Sequence, residues 1–166
     1  MTKLIPYEQY SFAVNIPSEK VLSLIKENTE PRRWFQWTGT KLFWGEVGEG
    51  TFSIYRQIRG RNSFLPLIKG KVLSQRDKTV IELKLHLHPA AIVFLVILFP
   101  VLIQELMIFL EVLFQNINTS GSMHLESFAP VGLVLFIYLL TTISFQFEVV
   151  KAKNEMYKIF AKYIQK

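Results

Sequence analysis

Five cations, Arg56, Arg59, Arg61, Lys69 and Lys71, fall in one short stretch, with Gly60 between two of them. Guanidinium groups match phosphate oxygens in a bidentate way. Basic groups beside a membrane attract anionic headgroups by about 1 kcal/mol each. The cluster is therefore expected to bind an anion or a lipid headgroup, and the plain alternative is a solvated basic face. Arg56 is the sharpest case. Strict alternation with Phe52, Ile54 and Ile58 aims it inward, where an unpaired charge is costly. Either a groove or a carboxylate receives it, or a bulge or edge position turns it outward, and the second is the expected arrangement.

His86 and His88 are two residues apart on one strand face, a spacing that can chelate a metal. No third ligand is evident beyond Glu82, so they are weak candidates and no metal is assigned. Gln104 and Glu105, with Glu111 beyond them, interrupt a long apolar stretch. A carboxylate deep in a bilayer would mark an ion or proton pathway. Counted from Ala90, however, Glu105 lies about 22 Å along a helix, close to the outer boundary of a membrane core. No phosphate-binding glycine motif, nucleophile elbow or paired carboxylates in a polar setting appear, so no catalytic residue and no cofactor are assigned. Cysteine is absent, which removes disulfides and thiolate chemistry.

The elements that must position these residues can be read in order. Tyr10, Phe12, Val14 and Ile16 alternate with polar residues over 7–16, as in a half-buried strand. Pro17-Ser18-Glu19 opens a helix, with Ser18 as its N-cap and an apolar stripe of Val21, Leu22, Leu24 and Ile25. Lys41–Val47 and Thr51–Ile58 form a hairpin around Gly48-Glu49-Gly50. Ile68–Gln75 and Thr79–His88 form another around Arg76-Asp77-Lys78. Trp34, Phe35, Trp37 and Trp44 either reach a membrane interface or fill the small core. Residues 149–165 form a polar helix with Met156, Tyr157, Phe160 and Tyr163 on one side. Glu148 and Lys151 form a local ion pair.

All 19 Lys and Arg lie outside the 66 residues from Leu85 to Val150. About 20 apolar residues suffice to cross a hydrocarbon core. Two spans are expected, 89–114 (possible end near 104) and 128–147, joined by an external loop over 115–127. Segment 1–88 carries 14 basic and 8 acidic residues, and 151–166 carries five Lys and one Glu, whereas the loop has neither Lys nor Arg. The positive-inside rule then puts both termini in the cytoplasm. The domains are a β-rich 1–88, the two spans, and a C-terminal helix over 148–166 packing on 1–88.

The order strand, helix, antiparallel strands, long final helix, with Phe12-Ala13-Val14-Asn15-Ile16-Pro17-Ser18-Glu19-Lys20-Val21 at its start, resembles the helix-grip domains of the START-like superfamily. That resemblance implies an α+β fold whose antiparallel sheet is gripped by its last helix, here interrupted by a transmembrane helical hairpin. Arg61-Asn62-Ser63-Phe64-Leu65-Pro66-Leu67-Ile68-Lys69-Gly70-Lys71, Leu87-His88-Pro89 and Phe147-Glu148 with Lys151 are similar to a group of small uncharacterised bacterial two-pass membrane proteins. This resemblance implies a bacterial inner membrane and carries no chemistry. The expected function is a non-enzymatic membrane module whose basic cytoplasmic face binds an anionic ligand or a protein partner. The alternatives are an accessory subunit of a larger membrane complex and an ion or proton pathway through Glu105. The expected partners are membrane lipids and a protein or second copy met through the spans, for which Thr141, Thr142 and Ser144 offer a small polar patch. Aromatic interleaving is too thin for a nucleic-acid surface.

Overall fold

The computed structural model describes residues 6–31, 40–58, 60, 62–119 and 128–164. Six strands and three helices follow in the order β1 (Tyr7–Val14), α1 (Ser18–Glu27), β2 (Thr29–Glu30), β3 (Phe43–Val47), β4 (Thr51–Arg56), β5 (Leu67–Gln75), β6 (Lys78–His86), α2 (Pro89–Thr119) and α3 (Ala129–Phe160). The strands make one sheet in the order β1-β6-β5-β4-β3-β2. All pairings are antiparallel except that of β2 with β3. The fold is α+β, and α2 and α3 are each long and apolar enough to cross a membrane. Two units divide the chain, Met1–His88 with Ser144–Lys166, and Pro89–Ile143, and α3 contributes to both.

Strand alternation gives the sheet two unlike faces. One carries Phe12 and Val14, Ile81, Leu83 and Leu85, Ile68 and Val72, Phe52 and Ile54, and Phe43. Most of these are fully buried. Gly70 belongs to this face for a steric reason: a Cβ there would stand 1.9 Å from the Phe52 ring. At the β3–β4 turn, Gly50 has a φ of +85°, a conformation that side chains rarely adopt. Helix α1 lies against β2, β3 and β5 and buries Val21 and Ile25. Ser18 is the first residue of α1 rather than its cap: Pro17 occupies the cap position, and the Ser18 hydroxyl turns to Glu19.

The C-terminal part of α3 covers the rest of this face. Phe145, Val149, Ala152, Met156 and Phe160 are buried along it, at spacings of three to four residues that keep them on one side of a helix. Tyr157 and Phe160 meet Phe12 at ring separations of 6.0 and 5.7 Å. Beyond the helix, Ile164 bridges Val14, and the Asn15 amide donates to the Tyr163 carbonyl. Helix α3 is one element of 32 residues, so the expected span and tail helix are continuous.

In the second unit, α2 starts at Pro89, a position that suits proline because the first helical amide needs no partner. The helix then runs through Pro100, Gln104 and Glu105 to Thr119 without ending near 104. Gln115–Thr119 therefore belong to the helix rather than to a loop. Residues 120–127 lie outside the described residues, as do Trp34, Phe35 and Trp37.

Candidate functional site

Arg56 closes β4 directly opposite Phe43, in step with Ile54 and Phe52. No bulge turns it outward, which corrects the sequence expectation. Its guanidinium enters the buried side and pairs with the Glu148 carboxylate of α3. Lys151 holds the other carboxylate oxygen at 2.9 Å. The reason is spatial: the second apolar helix returns to the sheet with Glu148 on its inner side, so the inward cation meets a carboxylate 92 positions later in the chain. The Arg56 Nε is buried and has no hydrogen-bond partner among the described residues.

A further pair secures the same helix at the far edge of the sheet. Lys153 reaches Glu8 of β1 at 2.6 Å, and its ammonium stands 4.6 Å from the Tyr10 ring. Burial first, then the Glu8 carboxylate and Tyr157, push the Tyr10 hydroxyl above its ordinary value. These groups are structural cement.

Lys69 and Lys71 occupy the other face. On β5 they alternate with buried Ile68, Gly70 and Val72 and are themselves exposed. The expected five-member cluster is therefore split. Arg56 lies on the core face, Lys69 and Lys71 on the outer face, and Arg59 and Arg61 lie outside the described residues. In place of Arg56, the structure brings up Lys84, which stands directly across from Lys69. Lys71 stands across from Glu82 in the same way. Like charges placed opposite one another destabilise a sheet by some tenths of a kcal/mol. Among the described residues, neither Lys69 nor Lys84 has an ion-pair partner.

Beside this basic row runs an aromatic one. Trp44, Tyr55, Leu67, His86 and Tyr7 are successive cross-strand partners on β3, β4, β5, β6 and β1. Trp44 and Tyr55 stack at 4.4 Å, and Tyr7 tilts against His86 at 5.1 Å. His88 tilts against Tyr55 at 5.3 Å. Partial burial, then the charges of Lys69 and Lys84, hold the His86 imidazole below its ordinary pKa. Each histidine thus has its own ring partner, and no group of three metal-ligating side chains occurs among the described residues. Gln104 and Glu105 lie exposed on α2, distant in sequence from either row.

Compared with protein-family models, curated proteins and solved structures, the chain matches none.

Proposed function

We propose that this chain is a membrane-anchored, non-enzymatic binding module whose sheet presents Lys69, Lys84 and Lys71 to an anionic partner. The observation that carries the reading is the Lys69–Lys84 pair, set directly opposite across β5 and β6 and without a carboxylate partner among the described residues. Folding alone favours a neutral or opposite charge at such a position, so an external anion supplies the missing counter-charge.

Membrane anchoring draws on α2 and α3. Phe94, Ile97, Phe99, Met107, Leu133, Leu135, Phe136 and Leu139 all expose large apolar surfaces. A helix that is apolar on every side needs a nonaqueous surrounding. The distribution of Lys and Arg favours a cytoplasmic side for both termini. The resemblance to small bacterial proteins favours the inner membrane, and the way α3 crosses the buried face accords with a helix-grip arrangement interrupted by the two spans.

The test uses the full chain in a neutral detergent, with fluorescent short-chain polyphosphate as the anionic probe. Lys69→Gln/Lys84→Gln is expected to weaken binding about twenty- to thirty-fold, at about 1 kcal/mol per cation. Arg76→Gln/Lys78→Gln removes the same charge at the exposed β5–β6 turn and is expected to cost less than three-fold. Equal losses would mean diffuse attraction, and the reading would fall.

A further inference from the structure

We infer that the anionic partner of the outer face is the phosphate-bearing headgroup layer of the membrane that anchors the chain, with the aromatic row lying along its surface. This rests on the anion-binding reading above and names its ligand. Three observations lead to it.

The first is where the chain leaves the sheet. Strand β6 ends at His86, within the aromatic row, and α2 begins at Pro89. Three residues span at most about 11 Å. From Pro89 the next charged residue is Glu105, so the apolar run starts at once. A headgroup zone is only about 5–7 Å deep on each side of the hydrocarbon core. The row therefore begins within reach of the headgroups.

The second is where the chain returns. Glu148 and Lys151 are the first charged residues after the second apolar run, and Glu148 pairs with Arg56. Arg56 is the neighbour of Tyr55 in β4, and Tyr55 is another member of the row. Two chain crossings are thus tied to one end of the sheet, at β6 and at β4, two strands apart. That end carries the row Tyr55–Leu67–His86, extended to Trp44 on one side and Tyr7 on the other.

The third is the chemistry of successive rows. Trp and Tyr favour the membrane–water interface because each joins an apolar ring to a polar tip. The row of Lys69 and Lys84 lies two residues further along each strand, about 7 Å away. Lysine stems can lean along the strand and carry the ammonium part of the way back, toward the phosphates. A soluble acidic partner would account for the lysines. It would not account for an aromatic row at the end where both apolar helices attach.

The experiment places the full chain in nanodiscs of phosphatidylcholine with phosphatidylglycerol, including a headgroup-spin-labelled phosphatidylcholine as quencher. The native chain has no cysteine, so Gln9→Cys in the lysine row and Asp77→Cys at the β5–β6 turn can each carry one fluorophore. Quenching at position 9 is expected to exceed that at position 77 at least three-fold. Lys69→Gln/Lys84→Gln is expected to lower the excess by half or more, and Arg76→Gln/Lys78→Gln to leave it. Equal quenching at the two positions would overturn the inference. If polyphosphate binding still depended on Lys69 and Lys84, the lipid assignment alone would fall and a soluble acidic protein would take its place. If that dependence were also absent, the underlying reading would fall with it.

Discussion

Arg56 and Lys84 both sit on the same six-stranded sheet, yet their charges are handled in opposite ways. Arg56 points into the buried face, retains 16% side-chain exposure, and is answered by a Glu148 carboxylate that is 8% exposed. Lys84 points outward beside Lys69 and is answered by nothing among the described residues. A largely buried cation without a partner costs the fold about 3–5 kcal/mol, and here the fold supplies one internally. A solvated cation carries no such demand and remains available to an external anion. The position of a basic residue in the alternation of its strand thus decides whether its charge serves the fold or a ligand.

The strongest way to break this comparison is Glu148→Ala. It strands Arg56 and is expected to destabilise the sheet unit by about 3–5 kcal/mol, read by denaturant unfolding in detergent. Arg56→Met/Glu148→Leu removes both charges and is expected to restore most of that loss, since apolar replacements of a buried pair are often neutral. Next comes Gly70→Ala on the same face. Its methyl group must displace the Phe52 ring, at an expected cost of about 1–3 kcal/mol in the same assay. Lys151→Ala is smaller. Its side chain is 57% exposed, and an exposed ion pair is worth about 0–1 kcal/mol.

The smallest effect falls on the outer face. Lys84→Gln relieves a like-charge pair and is expected to leave stability unchanged or raise it by up to about 0.5 kcal/mol. It also removes one of the charges that depress the His86 pKa, so the imidazole resonance should titrate at higher pH in the variant. The sign for stability follows from the same shift. Because folding lowers the His86 pKa, the unfolded chain binds the proton more readily. The His86 contribution weakens as pH falls below the ordinary histidine value of about 6.5. An NMR titration unaffected by Lys84→Gln would separate His86 from the basic row.

Much of the sheet was legible because its residues alternate cleanly. The β6 pattern of Ile81, Leu83 and Leu85 against Glu82, Lys84 and His86 is the arrangement found. The β5–β6 turn was not legible in the same way. Arg76-Asp77-Lys78 reads as a three-residue loop, but Gln75 pairs with Lys78, which leaves two residues in the turn. One position of slip moves every partner: the three-residue turn opposes Lys69 to Leu85, and the observed turn opposes it to Lys84. The basic pair was therefore hidden by a single residue of register. The Arg56–Glu148 pair was hidden by distance, because no local pattern links β4 to the C-terminal half of α3, which lies beyond two long apolar runs. The row from Trp44 to Tyr7 needs the order of five strands and could not be read from any one of them.

The most direct test of this division between faces is a single affinity comparison with the polyphosphate probe, using two double variants of the full chain. Arg56→Met/Glu148→Leu removes the inward cation while keeping its surroundings neutral, and Lys69→Gln/Lys84→Gln removes the outward pair. The expected result is an affinity within two-fold of the native chain for the first and about twenty- to thirty-fold weaker for the second. A large loss in the first with native binding in the second would place the anion at Arg56 and contradict the account.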